Sequence, residues 1–351
     1  LEEIFQQQVL TELVKRNIED ESQQNTGGES RAFYGQNIAP LVSVQSRVTR
    51  IRITDVQPYG LGQFKAPDAS PPLFKTKPTL REQYIELVLL EEMERFTGEE
   101  WILLNSNDES ISRGARLSLV DRLRIMQLRN DRLTEKMRWD AFKGTVLATY
   151  PDGGQITVDY GFDSSQLPTA GVAWTDVVNS NPVEDLYAWS QVGADFVGRY
   201  YSIVHLNSQT WRYVTRNQNI RSYLSALGRS ILLPTTDDLA ALMRQGTGNF
   251  QLVDSGYLDV GATNRRLTKF LPNNRILVTT EYTLDGQNIA DVADGQVLVG
   301  GDTGSAPDIR QGMQSEIISN PYTKQIFRRQ ASARIPRLYF PNAFLYATVG
   351  S

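Results

Sequence analysis

Apolar and polar positions divide this chain into stretches of different period. Over Leu1 to Asn25, Leu1, Ile4, Phe5, Val9, Leu13 and Val14 recur at helical spacing, followed by the polar run Glu19 to Gln24 and by Gly27-Gly28. This predicts an amphipathic N-terminal arm whose apolar stripe is too short to stay dry alone and needs a covering surface. An ordinary first helix packed on its own core is the other reading. From Leu41 to Thr54, Val42, Val44, Val48, Ile51 and Ile53 alternate with Ser43, Gln45, Arg47, Arg50 and Arg52, which predicts a strand with one charged face. Between Asp55 and Arg81 the pattern is broken by Gly60, Gly62, Pro67, Pro71, Pro72 and Pro78, and Tyr84 to Leu89 resumes strand character. An excursion of this length flanked by strands reads as a protruding two-stranded arm, against a flexible linker.

The strongest helical pattern follows. Leu119, Leu123, Met126, Leu133 and Met137 form the expected core face of a helix from about Ser112 to Phe142, on the order of 45 Å long. Arg122, Arg124, Arg129 and Arg132 lie mostly off that stripe and could lie against DNA. Asp121, Asp131, Glu135 and Asp140 intersperse them, so a solvated or subunit-facing surface is an equal reading. Gly144 is a natural stop, and the turn Pro151-Asp152-Gly153-Gly154 joins Thr145–Tyr150 to Gln155–Tyr160 as a hairpin. Asn181-Pro182-Val183-Glu184-Asp185 opens another helix, with the acids near its positive end. Further on, a strand is expected around Ile203, helices over Trp211 to Leu227 and Thr236 to Arg244, and strands on both sides of Pro272-Asn273-Asn274. Asp285 to Gly312, rich in Gly, Asp, Asn and Ala, reads as an exposed loop region. Ser332 to Val349 reads as β-structure returning to the sheet begun near Tyr150.

Composition narrows the chemistry. The chain of 351 residues is longer than one core usually grows. It contains no Cys, which removes disulfides, thiolate metal sites and Cys nucleophiles. The single His, His205, lies in an apolar strand pattern and reads as structural. A formal charge of -4 argues against a surface that grips nucleic acid through dominant basic charge. No apolar run approaches the roughly 20 residues that span a bilayer. The chain opens without a leader pattern, which reads as a processed or ordered portion beginning at Leu1. Gly60-Leu61-Gly62 and Gly300-Gly301-Asp302-Thr303-Gly304 lack the remaining residues of phosphate-binding loops. The pairs Glu91-Glu92, Glu99-Glu100 and Asp237-Asp238 point apart on any regular element and read as surface charge or helix caps. No constellation invites a reaction, whereas the arm and the protrusion both require cover from a neighbour.

The order of parts resembles the Hong Kong 97-type capsid fold of tailed bacteriophages. Local passages, Arg122 to Asp131, Asn181 to Ala188, Phe270 to Asn274 and Ser332 to Pro336, resemble the lambda-like capsid protein E family. The resemblance implies an α+β chain divided into an N-terminal arm (1–41), an extended loop (42–93), a peripheral domain with the spine helix (94–196), an axial domain (197–315) and a C-terminal return to the peripheral domain (316–351). It implies a structural protein, not an enzyme, without cofactor or metal. Many copies would form hexamers and pentamers of an icosahedral head around double-stranded DNA bound without sequence specificity. A decoration protein, a portal and a scaffold are further implied partners; the expected location is the virion, assembled in the host bacterial cytoplasm, with no membrane association. Phe64, Lys65, Pro71, Pro72, Phe74 and Lys75 are the expected inter-subunit contacts of the loop, and Arg122, Arg124, Arg129 and Arg132 are the candidate lumen-facing basic residues. Two rivals stand beside this reading: an encapsulin-type nanocompartment shell, and a two-domain metal-dependent enzyme using carboxylates such as Asp159, Asp163 and Asp176.

Overall fold

The structure, a computed structural model, describes residues 33–54, 80–104, 106–150, 153–229, 234–243, 248–258, 267–284, 286–299, 308–320 and 325–350. The stretch read as an amphipathic arm, 1–25, and the loop residues Phe64, Lys65, Pro71, Pro72, Phe74 and Lys75 lie outside the described residues.

A helical turn α1 (Gly35–Ile38) leads into β1 (Leu41–Ser43), β2 (Val48–Thr54), β3 (Leu80–Glu86) and β4 (Val88–Arg95). The alternation over Leu41 to Thr54 therefore becomes two strands, not one. After β1 the Val44 N–H still donates to Asp294 O, and the chain then turns, with Ser46 Oγ accepting from Val48 N. β2 and β3 pair antiparallel from Val48↔Glu86 to Thr54↔Leu80, so the strand signals on both sides of the Gly/Pro-rich stretch form one ribbon. Alternation sorts its side chains: Thr49, Ile51 and Ile85 are buried, while Val48, Arg50, Glu82, Tyr84 and Glu86 face outward.

The short α2 (Gly98–Leu104) fills the stretch between the ribbon and the long helix α3 (Glu109–Ala141). Asp108 caps α3 by accepting the Ser110 N–H at 2.9 Å, so the helix begins three residues before Ser112, the expected start. It ends at Ala141, and three residues on stands Gly144, whose φ of +96° favours glycine and where an added Cβ would lie 2.9 Å from the Phe162 ring. Leu119, Leu123, Met126 and Met137 are buried, but Leu133 is 44% exposed. Leu133 sits at the edge of the stripe, and the polar Asn130 and Thr134 occupy the inward positions beside it.

Beyond α3 the hairpin β5 (Thr145–Thr149) and β6 (Gln155–Asp159) buries Val146 and Val158. Next come α4 (Pro182–Val197), β7 (Ile203–Leu206), α5 (Ser208–Arg216), α6 (Gln218–Ala226), α7 (Thr236–Leu242) and β8 (Asn249–Leu252). The helical region from Trp211 to Leu227 is divided at Asn217, whose side chain caps α6 by accepting from Ile220 N at 3.1 Å. Strands β9 (Gly256–Leu258), β10 (Leu267–Lys269), β11 (Arg275–Thr279), β12 (Thr283–Leu284), β13 (Gln287–Asn288), β14 (Ala290–Asp294), β15 (Gln296–Val299), β16 (Asp308–Gln311), β17 (Gln314–Asn320), β18 (Gln325–Leu338) and β19 (Phe344–Thr348) complete the order.

Two larger sheets organise these strands. In the first, β18 pairs with β4 along one edge and with β17 and then β14 along the other, since Arg334 is registered with both Val88 and Asp294; β1 adds to β14 in parallel. The second has the order β19-β11-β7-β8, packed by α4 to α7. Two expectations are corrected here. The chain after Ser332 does not return to a sheet near Tyr150: β5 and β6 form their own hairpin, tied to β18 by Tyr160 Oη donating to Pro336 O at 2.6 Å. Nor is Asp285 to Gly312 an exposed loop throughout, because Ala290, Val292 and Ala293 are fully buried in β14. Small and acidic residues look like a turn in sequence, but Asp291 and Asp294 face arginines of β18 that compensate their burial.

Candidate assembly surfaces

Strand β18 joins the long helix, the ribbon and the first sheet. Ala331, Ala333 and Ile335 enter the apolar core on one face, while Arg328, Gln330, Ser332 and Arg334 belong to the other, where α3 lies. Arg334 donates to Asp131 of α3 at 2.8 Å, to Thr134 at 3.1 Å and to Asp294 of β14 at 3.3 Å. Arg328 donates to Glu94 of β4 at 2.6 Å with its guanidinium 5.0 Å over the Phe96 ring. On the opposite face Arg337 grips Asp291 through two bonds of 2.7 and 2.6 Å and reaches Thr49 of the ribbon at 3.0 Å. Bidentate, charge-assisted pairs of this kind fix geometry as well as contributing energy. These arginines were not singled out by sequence reasoning; the available signal was an arginine recurring inside an Ala/Ile-rich strand, which demands a buried partner.

The N-terminal side is anchored to the same framework. Glu135 of α3 accepts from Gly35 N at 2.6 Å, Arg138 Nη1 at 2.9 Å and Trp139 Nε1 at 2.9 Å, while Arg138 Nε donates to Ala39 O. Burial pushes the Glu135 carboxyl up, and the Arg138 charge with the other donors opposes it. Tyr34 donates to or accepts from Tyr282 at 3.0 Å, and both rings lie against His205. His205 is fully buried in β7 beside Thr279, and burial lowers its pKa to about 3.

The four candidate lumen-facing arginines do not form one face. Arg122 pairs with Glu94 and Glu100, and Arg129 with Glu92, so both lie on the flank of α3 that meets β4 and α2. Arg124 falls on the opposite flank and Arg132 is exposed between them. The carboxylates of the enzyme rival serve local turns: Asp159 accepts from Gly161 N, Asp163 caps Ser165, and Asp176 binds Val178 and Asn179. Among the described residues no group of three or more His, Cys, Asp or Glu is arranged to hold a metal ion, and no helix is long and apolar enough to cross a membrane.

Exposed apolar side chains mark where cover is needed. Tyr84, 68% exposed, stands on the outer face of the ribbon beside Arg50, which pairs with Glu82. Ile102 on α2 is 71% exposed, and Leu117 and Ile125 line the outer side of α3.

No curated protein matches this sequence closely enough to count as a relative. By structure, the chain is similar to a phage-related protein from Bordetella bronchiseptica RB50, with 15% identity over 90% of this chain and 92% of that one and a TM-score of 0.53. It is also similar to a protein assigned as a prophage capsid protein of E. coli CFT073, with 10% identity, 90% and 92% coverage and a TM-score of 0.55. The sequence profile of phage major capsid protein E matches residues 66–293. That profile spans more than half of a chain whose α+β architecture is of the Hong Kong 97 type, and the protein accordingly belongs to the phage major capsid protein E family.

Proposed function

We propose that copies of this chain join head-to-tail into hexamers and pentamers of an icosahedral phage head, and that its role is structural, without catalysis. Heterologous contacts close into rings when the rotation between neighbours permits. The observation that carries the reading is the β2–β3 ribbon: two strands whose Val48, Arg50 and Tyr84 are exposed among the described residues. A two-stranded ribbon is marginal by itself, so a neighbouring copy supplies the missing cover. The loop carried by this ribbon, with Phe64, Lys65, Pro71, Pro72, Phe74 and Lys75, is proposed as the reaching element. The peripheral unit is taken as 94–196 with 316–351, and the axial unit as 197–315. The head would enclose double-stranded DNA without reading its sequence and mature in the virion after assembly in the bacterial cytoplasm, with a portal, a scaffold and a decoration protein as further partners.

Deleting Gly60 to Pro78 tests this. The expected products are soluble subunits or capsomers but no shells by negative-stain microscopy. Shells of normal size and yield from the deletion would refute the role of the loop.

A further inference from the structure

We propose that the seam between α3 and β18 contains a built site for ordered water, shared by Asn130 of the helix and Ser332 and Gln330 of the strand. Four buried polar atoms on this seam make no hydrogen bond within the protein: Asn130 Nδ2, Gln330 Oε1, Ser332 Oγ and Arg328 Nη2, the last with the Glu100 carboxylate 4.0 Å away. Their residues are at most 2% exposed, so bulk solvent does not reach them. A buried polar atom left unpaired carries its full desolvation cost, and four along one seam require a common remedy.

The contacts place them together. Arg334 Nη1 donates to Thr134 Oγ1 at 3.1 Å and fixes one point of the register between helix and strand. One turn back along α3 is Asn130, and two residues back along β18 is Ser332. These steps are about 6 Å and about 6.6 Å, so Asn130 comes opposite Ser332, with Gln330 next on the same face. Beyond Gln330, Arg328 lies over Phe96, which packs with Leu119, Leu123 and Met126. The seam is thus apolar at one end, ion-paired at the other, and polar in between. Pairing along one edge of β18 also breaks here: the ladder with β17 stops at Ala331 of β18 and the ladder with β14 starts at Arg334 of β18.

The chemistry selects the occupant. Asn130 Nδ2 and Arg328 Nη2 can only donate, Gln330 Oε1 can only accept, and Ser332 Oγ can do both. A metal cation would face two donors, and an anion would face a carbonyl oxygen. A small neutral molecule that donates and accepts satisfies all of them, and water does so in buried polar sites of this kind.

The test is a density map of the subunit or its shell at a resolution that shows ordered water, for the native protein and for Asn130→Leu, whose side chain has the same branching but no hydrogen-bonding atoms. The expected result is native density within hydrogen-bond distance of Asn130 Nδ2 and Ser332 Oγ, lost in N130L, with the Arg334–Asp131 pair kept. Ser332→Ala offers a second variant should N130L fail to fold, with the same expected loss. Direct pairing of Asn130 with Ser332 or Gln330 and no density between them would overturn the proposal. So would density unchanged in the folded variant.

Discussion

Arg334 Nη1 and Asp131 Oδ1 are 2.8 Å apart although 203 residues separate them in the chain. Through this pair β18 is locked to the second half of the long helix. Arg334 is 3% exposed and also meets Asp294, so removing it leaves the largely buried Asp294 carboxylate and the part-exposed Asp131 carboxylate without their partner. Replacing Arg334 with Ala is expected to destabilise the subunit by about 3–5 kcal/mol, the usual cost of breaking a buried pair. Urea unfolding of the unassembled subunit measures it; a loss below about 1 kcal/mol would show that the pair is solvated.

Tyr84 separates stability from assembly. Its ring is on the outer face of the ribbon, so Tyr84→Asp should change subunit stability by no more than about 0.5 kcal/mol. An aromatic anchor lost from an interface costs about 2 kcal/mol, on the order of thirtyfold in each contact. Light scattering should therefore show a raised critical concentration for shell formation, with circular dichroism unchanged. Unaltered assembly of this variant would remove the ribbon face from the interface.

Gly295 sits where the ribbon approaches the first sheet. An added Cβ would lie 2.0 Å from Leu87 Cδ1 and 2.7 Å from the backbone Ser46 O. Leu87 can turn aside, but the carbonyl cannot, so Gly295→Ala is expected to cost about 1–3 kcal/mol. The Leu87 N–H, which donates to Arg47 O, should lose protection from hydrogen exchange in this variant.

His205 makes the fold acid-sensitive. Its ordinary pKa of 6.5 falls to about 3 because burial disfavours the imidazolium. Between these values the unfolded chain binds a proton that the folded chain refuses. This contribution to stability is complete above pH 6.5 and is lost as pH falls towards 3. In His205→Gln the dependence of unfolding free energy on pH should flatten by about one proton over that window, whatever the cost of losing the ring. An unchanged slope would mean that the imidazole titrates normally in the folded protein.

The helices and turns were legible along the chain because their causes are local. The Leu119, Leu123, Met126 and Met137 stripe, the end of the helix ahead of Gly144 and the Pro182 start of α4 each rest on residues close to one another in the chain. Even there, an apolar residue at the edge of a stripe, Leu133, could not be told from one at its centre, because which edge is covered depends on the partner layer. Strand pairing has no such local cause. Nothing near Val88–Arg95 names β18 as its neighbour, and Ala290–Asp294 resembles a loop until Arg334 and Arg337 supply charges for its two aspartates. Those arginines arrive from 40 and 46 positions away, so periodicity could set which elements form, while only the assembled sheets could decide which polar groups are safely buried and which faces remain for a neighbour.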